Sequence, residues 1–246
     1  MYSIHQLSKS RQPMFSLEKH LVLFSLSGRD VAAFLQNQTI NAFGSEMPQP
    51  HYTAICNAKG RILFSLLLWQ QADDVYLAVD QSLAEQFEQY IRMRIFRMAV
   101  KVTRTTALSP VITETEQDLV KHIRLVTDAS EKSVESDQFW ALFFRAELPW
   151  ITQQTSEQFI PQHLSLDQHQ LIDYQKGCYP GQEIIARLHF IGRNKKTLAL
   201  QYMPADTTAK NGEKVTINDN PVQLCSPIIN FNGQLCAQIV KNRAEP

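Results

Sequence analysis

The sequence predicts an α+β protein. Short apolar runs follow one another at hairpin spacing over the first hundred residues, apolar residues at helical spacing lie beside them, and the last fifty residues read as brief strands parted by turn formers. The chain has 246 residues, 44% hydrophobic and 20% charged, with no low-complexity tract, which is the composition of an ordinary globular protein. At about 150 residues per domain it has room for one to three compact units. Lys+Arg and Asp+Glu number 24 each, so the global charge recruits neither nucleic acid nor an anionic membrane, and any polyanion site must come from local clustering. No strong direct nucleic-acid binding is expected. No apolar stretch near the N-terminus has signal-peptide length, and the longest, 62–69, is far below the roughly 20 residues that span a bilayer, so a cytoplasmic protein off the membrane is expected.

The elements follow in order. Residues 20–26 form an apolar strand, Gly28-Arg29-Asp30 a turn, and Asp30 an N-cap for a helix whose inner face is Val31, Phe34 and Leu35. Strands over 52–56, 62–69 and 75–79, joined at Asn57-Ala58-Lys59-Gly60 and at 70–74, make a meander. Leu83, Phe87, Tyr90 and Ile91 share one helical face, and 95–102 reads as another strand. Pro110 and neighbouring turn formers mark a boundary, giving units over 1–105, 106–192 and 193–246. In the second unit, 119–126 and 139–144 are strand candidates. In the third, strands over 197–202, 214–217, 221–224, 228–231 and 234–240 alternate with turns such as Asn211-Gly212 and Asn232-Gly233, which predicts a small antiparallel β-barrel or sandwich.

The densest chemistry lies in Lys176-Gly177-Cys178-Tyr179-Pro180-Gly181-Gln182-Glu183, which holds two of the eight glycines. Pro180 suits the start of a helix running through Ile184, Ile185, Leu188 and His189, with Glu183 and Arg187 spaced to pair on its polar side. Cys178 then sits at a helix N-terminus with Lys176 nearby, a setting that favours a thiolate. Two readings stand: a reactive, partly exposed thiol, or a cysteine packed at a corner. Cys56, Cys225 and Cys236 lie inside strand patterns and read as buried. The four cysteines show no metal-ligand spacing, so no metal is expected.

Two basic stretches carry no acid: Arg92, Arg94, Arg97, Lys101 and Arg104, and Arg187, Arg193, Lys195 and Lys196. Each reads either as a site for phosphate, polyglutamate or an RNA backbone, or as a solvated face paired with acids elsewhere. Lys59 and Arg61 put two cations on a hairpin. Phe139 and Trp140 are core or a stacking surface for a flat heterocycle, and His189 is a packed residue or a base.

Lys176 to Glu183 resembles the signature K-G-C-[FY]-x-G-Q-E of the YgfZ family, folate-binding proteins related to the aminomethyltransferase of the glycine cleavage system. Gly28-Arg29-Asp30 with Phe34-Leu35-Gln36 resembles that family's G-x-D-x-x-x-[FY]-[LM]-Q segment, and Asn57-Ala58-Lys59-Gly60-Arg61 its D/N-A-K-G-[RK] turn. Gln158-Phe159-Ile160-Pro161-Gln162 and the stretch from Arg187 through Gly192 to Lys195-Lys196 resemble its flanks. The resemblance implies two ferredoxin-like α+β units and a C-terminal β-barrel around a central cavity that takes tetrahydrofolate or a one-carbon derivative. It also implies a role supporting iron–sulfur enzymes, tRNA-modifying ones among them, with those client proteins as transient partners. Lys176 and Cys178 would carry the chemistry. Lys59, Arg61, Phe139, Trp140, Tyr179, Gln182, Glu183 and Arg187 would hold the folate. The alternative is a folate-dependent aminomethyl transferase, but such enzymes carry an acid just after the hairpin turn, where this chain has Ile62-Leu63-Phe64-Ser65. A third reading, an RNA or protein adaptor, rests on charge alone.

Overall fold

The computed structural model describes residues 13–44, 49–71, 74–113, 122–128 and 132–243. It runs β1 (Met14–Ser16), β2 (Leu21–Ser27), α1 (Val31–Gln36), β3 (His51–Cys56), β4 (Ile62–Gln71), β5 (Asp74–Asp80), α2 (Ala84–Arg94) and β6 (Lys101–Arg104). Next come β7 (Ser109–Thr113), β8 (Arg124–Val126), α3 (Ser136–Arg145) and α4 (Gln182–Phe190). The chain then continues through β9 (Lys196–Tyr202), β10 (Lys214–Ile217), β11 (Asn220–Leu224), β12 (Ile229–Phe231) and β13 (Gln234–Asn242). The architecture is mixed α and β with antiparallel sheets, and no helix among the described residues is long and apolar enough to cross a membrane.

The predicted meander is the heart of a five-stranded sheet ordered β3-β4-β5-β2-β6. β4 is buried from Ile62 to Trp69 without alternation because both its faces are covered. Phe64 meets Phe87 and Tyr90 of α2 at 5.2 and 5.5 Å on one side. On the other, the Ser65 hydroxyl accepts from the Ile151 amide at 2.8 Å. The expected strand over 95–102 shrinks to β6, because 95–100 turns back on itself: the Met98 amide donates to the Ile95 carbonyl at 2.8 Å, and Arg97 takes φ 70°. Asp30 stands at the N-cap of α1, but its carboxylate accepts from the Ala99 amide at 2.7 Å instead of capping the helix.

The predicted boundary stretch contains β7, which pairs with β1 on one edge and β8 on the other. Of the expected strand over 119–126, residues 119–121 lie outside the described residues and the extended part is β8. The expected strand over 139–144 is a correction: it is helix α3. Glu135 and Gln138 form a reciprocal capping box, and Phe139/Phe143 and Trp140/Phe144, each four apart, build one buried face. A six-residue apolar run carries no period of its own that separates strand from helix.

The C-terminal strands form an open sheet, which corrects the expected closed barrel. β11 and β12 follow one another along one edge of β13, and β9 takes the other edge over Lys196–Tyr202. No pairing between β9 and β10 closes a ring. The sheet packs on α3, where Phe231 meets Phe144 at 5.7 Å and the Asn230 amide donates to Asp137 at 3.1 Å. Most of the buried apolar side chains, from Leu17 to Val240, belong to one continuous cluster.

Candidate functional site

The hairpin between β3 and β4 is shaped by Asn57, whose side-chain oxygen accepts from the amides of Lys59 at 2.9 Å and Arg61 at 3.1 Å. It is tied to the segment 157–159 on its flank. The Ile62 amide donates to the Phe159 carbonyl at 2.8 Å, the Asn57 amide group to Glu157 at 3.2 Å, and the Arg61 guanidinium to the Gln158 carbonyl at 2.7 Å. Lys59 is exposed at the tip.

The Lys176–Glu183 loop is built on the same sheet. The Asp173 carboxylate accepts from the amides of Gln175 and Lys176, at 2.8 and 3.1 Å, and so curls the chain at the loop's start. Lys176 turns its ammonium inward to the carbonyls of Thr39 and Asn41, at 2.7 and 2.8 Å, with the Tyr179 ring 5.4 Å away. Burial lowers its pKa to about 8, against the opposing pull of the Asp173 charge. Tyr179 is buried, burial pushes its phenol well above the usual range, and its hydroxyl has no hydrogen-bond partner among the described residues. Gln182 closes the loop by donating to the Lys176 carbonyl at 3.2 Å.

The two motifs meet glycine to glycine. Gly181 is the N-cap of α4 at φ 80°, and a Cβ there would lie 2.5 Å from Gly60 Cα, 2.6 Å from Gly60 N and closer still to the Asn57 carbonyl oxygen. Gly60, at φ 70°, faces Ile184 and the Gly181 carbonyl in return. At Gly181 only a residue without a side chain fits, and at Gly60 the positive φ and neighbours at 3.2–3.4 Å disfavour one. Thus the hairpin carrying Lys59 and Arg61 is in direct contact with the loop carrying Cys178.

All four cysteines are free. Cys178 alone is exposed, and Cys56, Cys225 and Cys236 are buried, which raises their thiol pKa values. α4 begins at Gln182, so Pro180 precedes the helix instead of opening it. Glu183 and Arg187 are exposed and no ion pair joins them. His189 lies about 10 Å further along the helix axis than Gln182, exposed at the far end with its ring stacked on Tyr174 at 3.8 Å. Phe139 and Trp140 are also core, 1% and 6% exposed. Phe139 stacks on His20 at 4.4 Å and meets Trp140, Phe143 and Trp150 edge-on. Neither ring presents an open face for a heterocycle.

Beside the hairpin lies a cleft of about 620 Å³, lined by Arg61, Glu157, His163, Lys196, Lys214 and Gln223 among others. Burial, aided by the charges of Lys196 and Arg61, lowers the His163 pKa to about 4, so its ring is neutral near pH 7. Lys214 and His163 carry no sequence signal that marks them as site residues; only the fold brings them to Arg61. A second cleft, of about 690 Å³, lies at the far end of α4. Among the described residues no group of three or more His, Cys, Asp or Glu is arranged to hold a metal ion.

No protein-family model matches the chain. The tRNA-modifying protein YgfZ of Klebsiella pneumoniae (strain 342) is 26% identical to it over 291 aligned positions, 94% of this chain and 88% of that protein. The chain is YgfZ-like. The likeness therefore extends well beyond the eight-residue signature. Among solved structures, the glycine cleavage system aminomethyltransferase T of Bartonella henselae has a TM-score of 0.62 at 12% identity, over 94% of this chain and 78% of that one. At that identity the YgfZ-like chain and the aminomethyltransferase share a fold.

Proposed function

We propose that this protein binds tetrahydrofolate, or a one-carbon derivative of it, and supports the synthesis or repair of iron–sulfur enzymes, tRNA-modifying ones included, through the Cys178 thiol. The observation that carries the reading is the contact of Gly60 with Gly181, which fixes a cationic hairpin against an exposed cysteine. The YgfZ relative is named for tRNA modification and the aminomethyltransferase shares the fold, and both support the assignment.

The residues present suit a folate. Its glutamate tail requires cations, and Arg61, Lys196 and Lys214 line one cleft with Glu157 as the opposing carboxylate. Its pterin requires hydrogen-bonding partners, which Gln182 and Glu183 offer at the start of α4, with Tyr179 beneath the loop and Arg187 one turn on. Folate, when bound, supplies a carrier for one-carbon units. Cys178 is the nucleophile of the site. Lys176 acts as a positioning residue, because its ammonium pins the loop to the Thr39 and Asn41 carbonyls. Such a thiol persists in the reduced cytoplasm, where its iron–sulfur clients are made.

Calorimetric titration with tetrahydrofolate tests the binding: a saturable heat is expected, weakened in Arg61→Ala and Lys214→Ala when the ligand carries a polyglutamate tail. An absence of heat refutes it. Complementation of a strain lacking the native protein by Cys178→Ser, read as iron–sulfur-dependent tRNA methylthiolation, tests the thiol, and full rescue removes it from the mechanism. The shared fold keeps aminomethyl transfer as the second reading. Against it, Ile62, Leu63 and Phe64 are buried and Ser65 is bonded to Ile151, so no carboxylate follows the turn. Turnover of an aminomethylated carrier protein would establish that reading instead.

A further inference from the structure

The other end of the five-stranded sheet carries a cluster that the folate reading does not use. No acid occurs between Gln89 and Thr113, and five cations do. Glu88 binds two of them, Arg92 at 2.8 Å and Arg104 at 3.2 Å. Arg94, Arg97 and Lys101 are exposed, with no carboxylate in salt-bridge reach among the described residues. Arg29, 86% exposed and 3.7 Å from the Asp30 carboxylate, stands beside them, because its turn is bonded to Ala99 through Asp30.

Two large apolar side chains lie open among these cations: Met93 is 71% exposed and Phe96 74%. The Arg97 guanidinium lies 5.3 Å from the Phe96 ring centre, which leaves the ring's other face to solvent. Ordinary structural reasons account for part of the cluster. Arg92 and Arg94 suit the negative end of α2, and charges on the edge strand β6 discourage pairing with another chain. Neither reason explains an exposed phenylalanine, nor an arginine held at φ 70°, where glycine fits without strain.

We propose that this face docks single-stranded RNA, a base stacking on Phe96 while Arg94, Arg97, Lys101 and Arg29 take backbone phosphates. RNA uses both halves of the patch: every base has a face for the ring, and arginine forks match phosphate oxygens. A membrane would find only two apolar side chains, and an acidic protein would leave the ring without a partner. The zero net charge of the chain conceals this local segregation. The inference is independent of folate and of Cys178.

Fluorescence anisotropy of the full chain with a labelled single-stranded RNA of about 10 nucleotides provides the test. The expected logarithmic slope of affinity against salt is between about −2 and −3, for three to four phosphate contacts. Phe96→Ala is expected to weaken binding about 5- to 150-fold, and the double variant Arg94→Ala/Arg97→Gly to reduce the salt slope by about 1.4. Arg97→Gly relieves the backbone strain, so loss of binding in that background is not loss of fold. Absence of saturable binding overturns the proposal, as does binding indifferent to both variants. Capture of the protein by phosphatidylserine vesicles in preference to the RNA also overturns it and assigns the patch to a membrane.

Discussion

Replacing Gly181 by alanine probes the contact on which the site depends. The backbone there lies at φ 80°, a conformation that costs an L-residue about 1–2 kcal/mol. The new methyl would meet the Gly60 and Asn57 backbones at 2.6 Å and below, and those atoms cannot swing aside like a side chain. Overpacking of this kind costs about 1–3 kcal/mol more. The sum, about 2–5 kcal/mol, lowers the melting temperature of a chain this size by about 4–20 °C. Gly177→Ala is the matched control. Its flank is open to at least 4 Å and its φ is not positive, so its stability should stay within about 0.5 kcal/mol of the parent. Urea unfolding and thermal melts of both variants, with tetrahydrofolate titration of each folded protein, provide the assay. A Gly181→Ala protein as stable as Gly177→Ala would refute the close approach of hairpin and loop.

In the native protein a thiol reagent should label one cysteine rapidly, Cys178, and reach Cys56, Cys225 and Cys236 only on unfolding; mass spectrometry of the labelled peptides checks this, and early labelling of any other contradicts the burial. Lys176 binds its proton less tightly folded than unfolded, so its contribution disfavours the fold below pH 8 and that penalty fades as pH rises from about 8 towards 10.5. The stability difference between the parent and Lys176→Met should therefore move in the parent's favour over that range, and a flat difference would deny the perturbed ammonium. Phe139→Ala should cost about 3–5 kcal/mol in urea denaturation, since the ring is packed between His20, Phe143 and Trp150; a loss under about 1 kcal/mol would place it outside the core.

The meander was legible because β4 is an unbroken apolar run between two turns and because Asn57 and Gly60 mark the hairpin. The helix after Gly181 was legible from the spacing of Ile184, Ile185 and Leu188. Residues 139–144 were not: their identity as a helix rests on the capping pair Glu135 and Gln138 outside the apolar run, and on aromatic partners far along the chain. The barrel reading came from strand spacing, which says how many strands there are but not which edge each one takes. At the site, Cys178, Lys59 and Arg61 announced themselves by composition. The acceptors that hold Lys176 are main-chain carbonyls, which leave no mark in a sequence, and His163 and Lys214 join Arg61 only through tertiary packing.

The anchoring of Lys176 on Thr39 and Asn41 bears on biosynthesis. Those carbonyls and the Asn57 hairpin leave the ribosome well over a hundred residues ahead of the cysteine loop, and the far face of the sheet is covered only by the later residues around Ile151. The loop's posture therefore rests on contacts of long sequence separation, and the thiol cannot take it until both stretches of chain have been made.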